Sequence, residues 1–502
     1  MAARAEPQAS ASRAFGPVGT VLIAALALAA GIGLGALAFW DGRLGPRWQP
    51  RLLGPAPPFV NDVPFLGTLA VAGVAAALAL FLAWVRASGS WDRPVLGLFA
   101  FSLFADAVPA IYQVALLLLF LLLADRALRR GDLPFVLTPL VVPVGLVALS
   151  YATTFLVSSN AAADAVDFVF RLGFLLMVPL LPGILRTPRH LRILFDLMIA
   201  AACLSAAVAF GQFVLSFLTG QAVTFAEPAF NRIQVGGFVV PRCTGLMDHP
   251  NHASNTLGTV AVVALFLATA PAGRLTRKRR LAFLAVFLFL SAAVLITFSR
   301  SGWLALGVAT LLVPVLRWPR RAPFYLLLLA LLAAAGLQSG LLPAGYEFVK
   351  DLNASSADFR WHMDRIALRA FLEHPWIGVG VEGLLRWFNP FHLEVHNTYL
   401  QVLAEMGLFG AAAFLALVGL LAARLVRAAR VVRGPVRREW LTALLLGSAL
   451  LLVQNLVVMF LWIKFLWFWL ALLETAVLVC LRPVRDDDPD RVVFLPAARD
   501  GI

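Results

Sequence analysis

An all-α, polytopic integral membrane protein is the fold class this sequence predicts, and three observations carry it. Of 502 residues, 61% are hydrophobic and 14% charged, with a mean hydropathy of +0.87, a balance that suits a lipid solvent and not a soluble interior. Apolar runs of helix length recur from Val18 to Leu481. The arginines gather in alternate connections between those runs, as expected where basic loops are retained on the cytoplasmic side.

In chain order the candidate spans are 18–40, 63–85, 94–106, 109–124, 134–157, 165–185, 191–218, 248–270, 281–298, 302–316, 323–338, 396–423, 440–460 and 463–481. Several are shorter than the roughly 20 residues that cross a bilayer unaided. The stretch from Asp106 to Pro109 reads as one broken helix or as two tight ones, so the expected number is about 12 to 14 transmembrane helices. Residues 1–17 and 482–502 read as polar tails, 18–338 as an N-terminal bundle, 339–395 as one long loop with an amphipathic helix, and 396–481 as the C-terminal helices. The run after residue 17 is too long, and lacks the cleavage site, for a removable signal peptide.

Orientation follows from the basic clusters. Arg126, Arg129 and Arg130, then Arg186, Arg189 and Arg192, then Arg274 through Arg280, then Arg317, Arg320 and Arg321, and finally Arg424 through Arg438 fall in alternate connections. They assign those connections and both termini to the cytoplasm, leaving 219–247, 299–301 and 339–395 outside, which in a bacterial inner membrane is the periplasm. The 41–62 connection, with Arg43, Arg47 and Arg51, runs against this trend. The net charge of +14 is mostly this topological signal, and no basic surface interleaved with aromatics speaks for nucleic acid. Cys203, Cys243 and Cys480 have no paired spacing, so neither a disulfide framework nor a thiolate metal site is expected.

Four polar constellations fall on the outer side or just within it. In PRCTGLMDHPNHASNTLG, Arg242 and His249 precede a helix start near Pro250 or Asn251, where unpaired N–H groups and an arginine make a phosphate seat. The alternative is a plain loop in which Asp248 and Asn251 cap the helix. In TFSRSGWLALG, Arg300 sits in a two- or three-residue turn, either in a functional role or snorkelling to the interface. In DFRWHMDRIALRAFLEHPWIGVGVE, Trp361, Arg365, Leu368 and Leu372 share one helical stripe and Arg360 and Asp364 another. That describes an amphipathic helix lying against the membrane face, closed by Pro375, Gly378, Gly380 and Gly383; Arg360 and Asp364 also read as a simple solvated pair. In HNTYLQVLAEMGLFG, His396 and Asn397 stand at the mouth of an apolar helix. A neutral imidazole there is a proton acceptor near neutral pH or, more blandly, a cap. Glu405, about two and a half turns deeper, reads as a brace within the bundle.

The ordered set RCTGLMDHPN, TFSRSGW, the arginine-rich loop ending in HPWIGVG, and HNTYLQVLAEMGLFG resembles the O-antigen ligase and polymerase superfamily, over roughly Arg242 to Gly410. The resemblance implies a membrane glycosyltransferase fold acting at the periplasmic face on a glycan carried by undecaprenyl pyrophosphate. The acceptor would be a lipid A core sugar in a ligase, or a growing glycan in a polymerase. It further implies His396 as general base, Arg360 as the loop arginine of the reaction, and Arg242, Arg300 and Arg365 as pyrophosphate binders beside His249 and Asn397. Arg360 and Arg365 could exchange roles. In that scheme displacement inverts the anomeric carbon, and guanidinium groups supply the charge that a divalent ion would otherwise bring, so no metal or other cofactor is expected.

Two competitors remain. A metal-dependent glycosyltransferase calls for clustered outer carboxylates, whereas Asp41, Asp62 and Asp106 are dispersed in sequence. A transporter calls for broken or charged helices near the midplane, in related halves; no half-to-half repeat is present. The single long loop of 57 residues before His396 resembles the ligase arrangement, while a span count near fourteen leans to a polymerase.

Overall fold

The computed structural model describes residues 92–106, 111–112, 114–119, 121, 136–153, 155, 161–185, 187–219, 223–224, 232–235, 238–340, 354–380, 383–384, 395–432 and 434–481. The spans expected at 18–40 and 63–85, the 41–62 connection and both tails lie outside them. The chain divides into two compact units, Met1–Asp132 and Leu133–Ile502. In the first, α1 (Asp92–Ser102) buries Val95, Leu96 and Phe99, and the Ser102 hydroxyl donates to the Phe99 carbonyl at 2.7 Å.

The second unit runs α2 (Val141–Ala152), α3 (Ala161–Ile184), α4 (Pro188–Thr219), β1 (Arg232–Val235), β2 (Phe238–Pro241), α5 (Pro250–Ala268), α6 (Arg277–Ile296), α7 (Arg300–Arg317), α8 (Ala322–Gln338), α9 (Ala354–Glu373), α10 (Thr398–Val431), α11 (Pro435–Gln454) and α12 (Lys464–Leu481). Among the described residues, five stretches are long and apolar enough to span a bilayer: Pro188–Leu218, Arg277–Ile296, Pro319–Gln338, Thr398–Val431 and Lys464–Leu481. The fold is all-α and polytopic, as the sequence predicts. One departure is the antiparallel pairing of β1 with β2, Arg232 opposite Pro241.

Helix α5 is the axis of the unit, buried from Pro250 to Leu267 and packed by α6, α7 and α11. Small residues let the helices close up, since lipid supplies no hydrophobic drive and association rests on packing. A Cβ at Gly447 would come within 2.8 Å of Val263, and one at Gly302 within 2.5 Å of the Ser254 Cβ. By contrast α8 buries no residue and turns its leucines outward, the surface that a lipid-facing helix needs.

Two carboxylates buried in the bundle, Glu474 and Glu439, are each paired with arginine. Arg424 holds the fully buried Glu474 through Nε and Nη2 at 3.0 and 2.7 Å. Buried Glu439 accepts from both Arg274 and Arg317, and the Arg317 guanidinium lies 3.8 Å from the Phe266 ring centroid. The basic clusters read as topological signals thus also tie α5, α7 and α11 together, because a buried carboxylate without a cation would be strongly destabilising.

Helix α10 is not continuous. At Gly407 the backbone turns to φ 62°, ψ −165°, and the chain segment following α9 docks beside this break. Helix α9 covers the first turns of α10 with a stripe of Met363, Ala367 and Ala370, packed with Val379, Leu384, Val395, Ala404, Ile366 and Leu400. The stripe of Trp361, Arg365, Leu368 and Leu372 is exposed. Glu405 is buried and accepts from Gln401 Nε2 at 3.1 Å and Trp462 Nε1 at 3.3 Å, the bracing role expected of it.

Candidate active site

The connection from β2 to α5 is shaped by α4. Gln212 accepts from the Thr244 and Gly245 N–H groups at 3.0 and 2.9 Å and donates to the Gly245 carbonyl at 2.8 Å. Gly245 has φ +62°, and a Cβ there would lie 2.3 Å from the Ser205 carbonyl oxygen, so only glycine fits this close approach. The Leu246 N–H donates to Ser205 Oγ at 3.1 Å. These bonds satisfy the loop backbone and hold Arg242 against α6 and α5.

Arg242 is buried, its Nε donating to the Thr297 carbonyl at 3.2 Å and its Nη2 to Asn251 Oδ1 at 3.3 Å. The Ser299 hydroxyl donates to the same Asn251 oxygen at 3.0 Å, linking the turn before α7 to the start of α5. Ser299, not Arg300, forms that turn with Thr297 and Phe298; Phe298 adopts φ 49°, Ser299 caps α7, and Arg300 is the first helical residue. Helix α5 begins at Pro250 as expected, but its cap is His249, whose Nδ1 accepts from the Asn251 N–H at 3.1 Å. A neutral His249 with Nδ1 accepting carries its proton on Nε2.

His252 is a component that sequence reasoning missed. It lies one turn into α5, its ring 5.0 Å from that of His249 and 5.7 Å from Phe460, with Nδ1 3.3 Å from Asp248 Oδ1. The signal was present in DHPNH, since residues four apart on a helix start share a face.

His396 precedes α10, whose cap is Asn397; the Asn397 Oδ1 accepts from the N–H groups of Tyr399 and Leu400 at 3.0 and 3.1 Å. Its oxygen therefore serves the helix. Thr398 fixes this start to the turn after α11, its N–H donating to the Asn455 carbonyl at 2.9 Å and its hydroxyl to the Val458 carbonyl at 2.8 Å.

The electrostatics show which groups converge. Burial pushes the Arg242 guanidinium down to about 10, helped by the charges of Arg360 and Arg300. Burial, then the charges of Arg360, His252 and Arg242, push the His396 imidazole down to about 4. His249 is held well below the ordinary histidine value by burial first, then by His252 and Arg242. Arg360 is lowered by burial and Arg300, with Asp364 opposing, and its Nε has no hydrogen-bond partner among the described residues. Arg242, Arg300 and Arg360 thus form one electropositive cluster beside His249, His252 and His396, suited to a polyanion. Arg365 stands apart, exposed, its guanidinium 5.3 Å from the Trp361 ring centroid.

Residues 284–415 match the family model Wzy_C, described as O-Antigen ligase. The match takes in Arg300, Arg360, Arg365, His396 and Asn397, while Arg242, His249 and His252 lie before it. No curated protein matches the chain. Over residues 284–415, and in the all-α membrane fold around them, the chain is similar to the O-antigen ligase and polymerase superfamily of glycosyltransferase-like membrane proteins.

Proposed function

We propose that this protein transfers a glycan from undecaprenyl pyrophosphate to a lipid A core sugar at the periplasmic face of a bacterial inner membrane. The observation that supports it is the convergence of Arg360 and Arg242 on His396, with Arg300 beside both arginines. His396 takes the proton of the acceptor hydroxyl as its oxygen bonds to the anomeric carbon. The bond from that carbon to the pyrophosphate oxygen breaks, and the departing charge falls among the clustered guanidinium groups, whose positive charge lowers the barrier. One such displacement inverts the anomeric configuration. His249 lines the same cluster, whereas Arg365, its guanidinium 5.3 Å from the Trp361 ring centroid, lies on the exposed face of α9.

The test is transfer by the purified protein, given an undecaprenyl-pyrophosphate glycan with or without a lipid A core acceptor. Glycan joined to the core is the expected product. Longer glycans still on the polyprenyl carrier would make the protein a polymerase instead, and no product from intact protein would sink the transfer reading.

A further inference from the structure

Helix α10 lacks two rungs of its hydrogen-bond ladder, and another part of the chain replaces both. In an unbroken helix the N–H groups of Leu408 and Phe409 would reach the carbonyls of Ala404 and Glu405. Here the Leu408 N–H donates to the Pro375 carbonyl at 2.7 Å and the Phe409 N–H to the Trp376 carbonyl at 3.3 Å. The two vacated carbonyls are taken in turn: Val379 N–H donates to Ala404 at 2.9 Å and Gly380 N–H to Glu405 at 3.0 Å. All four opened groups are satisfied by one short segment, as backbone next to a lipid phase requires.

The contact has no room for side chains. A Cβ at Gly378, where φ is +70°, would sit 2.4 Å from the Glu405 carbonyl carbon; at Gly407, where φ is +62°, it would sit 2.4 Å from that of Trp376. From this junction two helices run side by side toward the cluster. Arg360 lies 15 residues before Pro375 on α9, and His396 lies 12 residues before Leu408 on the α10 side, about 22 and 18 Å at the helical rise. Between them the small-residue stripe of α9 packs on Leu400 and Ala404. Arg360 continues that stripe one turn above Met363, as His396 stands one turn before Leu400.

We propose that Pro375–Gly380, seated in the Gly407 break, is a positioning element that sets the register of α9 against α10 and thereby the separation of Arg360 from His396. Gly378 and Gly407 are its positioning residues. The proposal rests on the reading of Arg360 and His396 as the reaction's arginine and base. An error of about 1 Å in such a pair can cost on the order of a hundredfold in rate, which gives a chain reason to measure both from one joint.

The experiment uses the full chain in lipid nanodiscs with Cys203→Ser, spin labels at Trp361→Cys and Val457→Cys, and a parallel transfer assay. Trp361 and Val457 are both exposed, and Val457 lies in the turn that holds the start of α10. Gly407→Ala is expected to shift or broaden the label distance and to lower kcat more than tenfold, while Gly419→Ala, which meets nothing within 4 Å on the same helix, changes neither. If Gly407→Ala does not insert, Gly378→Ala carries the same expectation from outside the spanning helix. An unchanged distance in an inserted variant overturns the positioning role. A shifted distance with undiminished transfer upholds that role and overturns the reading of Arg360 and His396 instead.

Discussion

The side-chain oxygen of Asn251 accepts from both Arg242 Nη2, at 3.3 Å, and Ser299 Oγ, at 3.0 Å, so one amide on α5 orients an arginine from the β2–α5 connection and the turn entering α7. Hydrogen bonds to charged groups contribute about 1.5–3 kcal/mol each. Asn251→Ala is expected to lower transfer roughly tenfold and to lower the unfolding midpoint in detergent by a few degrees. Asn251→Asp should hold Arg242 more firmly while cancelling its charge, raising KM for the donor without loss of stability. Donor titrations and thermal scans of both variants check this, and equal donor KM in the two would refute the charge argument.

His396→Ala is expected to abolish transfer, a loss on the order of a hundredfold or more for a general base, with membrane insertion and yield unchanged. Retained turnover would remove His396 from the reaction.

Arg360 and Arg365 should separate cleanly. Lysine cannot reproduce the forked contacts of a guanidinium, so Arg360→Lys is expected to cut kcat/KM more than tenfold. Arg365→Lys, at an exposed site on Trp361, is expected to leave it within about twofold, since lysine keeps the charge and the ring contact. The opposite ranking would transfer the role to Arg365.

The pH dependence follows from the groups around His396. Burial, Arg360, His252 and Arg242 all disfavour the protonated imidazole, so the free protein keeps it neutral down to about pH 4. On the proposed reaction a bound pyrophosphate would add negative charge among those groups and raise the value. The acid limb of kcat/KM, which reports the free protein, is therefore expected near pH 4, and that of kcat at higher pH. Arg360→Gln removes the largest neighbouring charge and should move the kcat/KM limb upward; a downward shift would contradict the assigned geometry.

Glycines that read alike in sequence should respond differently. Gly302→Ala forces a methyl group against Ser254 and is expected to destabilise the bundle by about 1–3 kcal/mol. Gly419→Ala, in open space, should be neutral or stabilising by about 0.5–1 kcal/mol. Chemical denaturation of the two variants in the same detergent decides it.

The membrane class, the start of α5 and the grouping of Arg242, Arg300 and Arg360 with His396 were legible because each depends on local composition or on an intact motif. The break at Gly407 was not. LAEMGLFG continues an apolar helical period, and nothing local shows that residues 375–380 supply the missing hydrogen bonds. Trp361, Leu368 and Leu372 form the more conspicuous stripe of α9, yet the packed face is Met363, Ala367 and Ala370, because close helix contact selects small residues over large ones. Between the β1 and β2 segments the sequence reads Gly236-Gly237, a turn signal set among long apolar runs. His252 was obscured by His249, the nearer neighbour of the helix start.

The cluster of three guanidinium groups also bears on what happens after bond exchange. On the proposed reaction undecaprenyl pyrophosphate would leave with one more ionisable oxygen than the donor brought, so the arginines that ease its departure from the sugar would retain the spent carrier more tightly than the loaded one. On the proposed reaction, turnover is then paced by escape of the used lipid into the bilayer, and added undecaprenyl pyrophosphate should slow the enzyme in competition with its donor. Whatever removes that carrier from the membrane would govern the flux through this protein as much as the supply of either substrate.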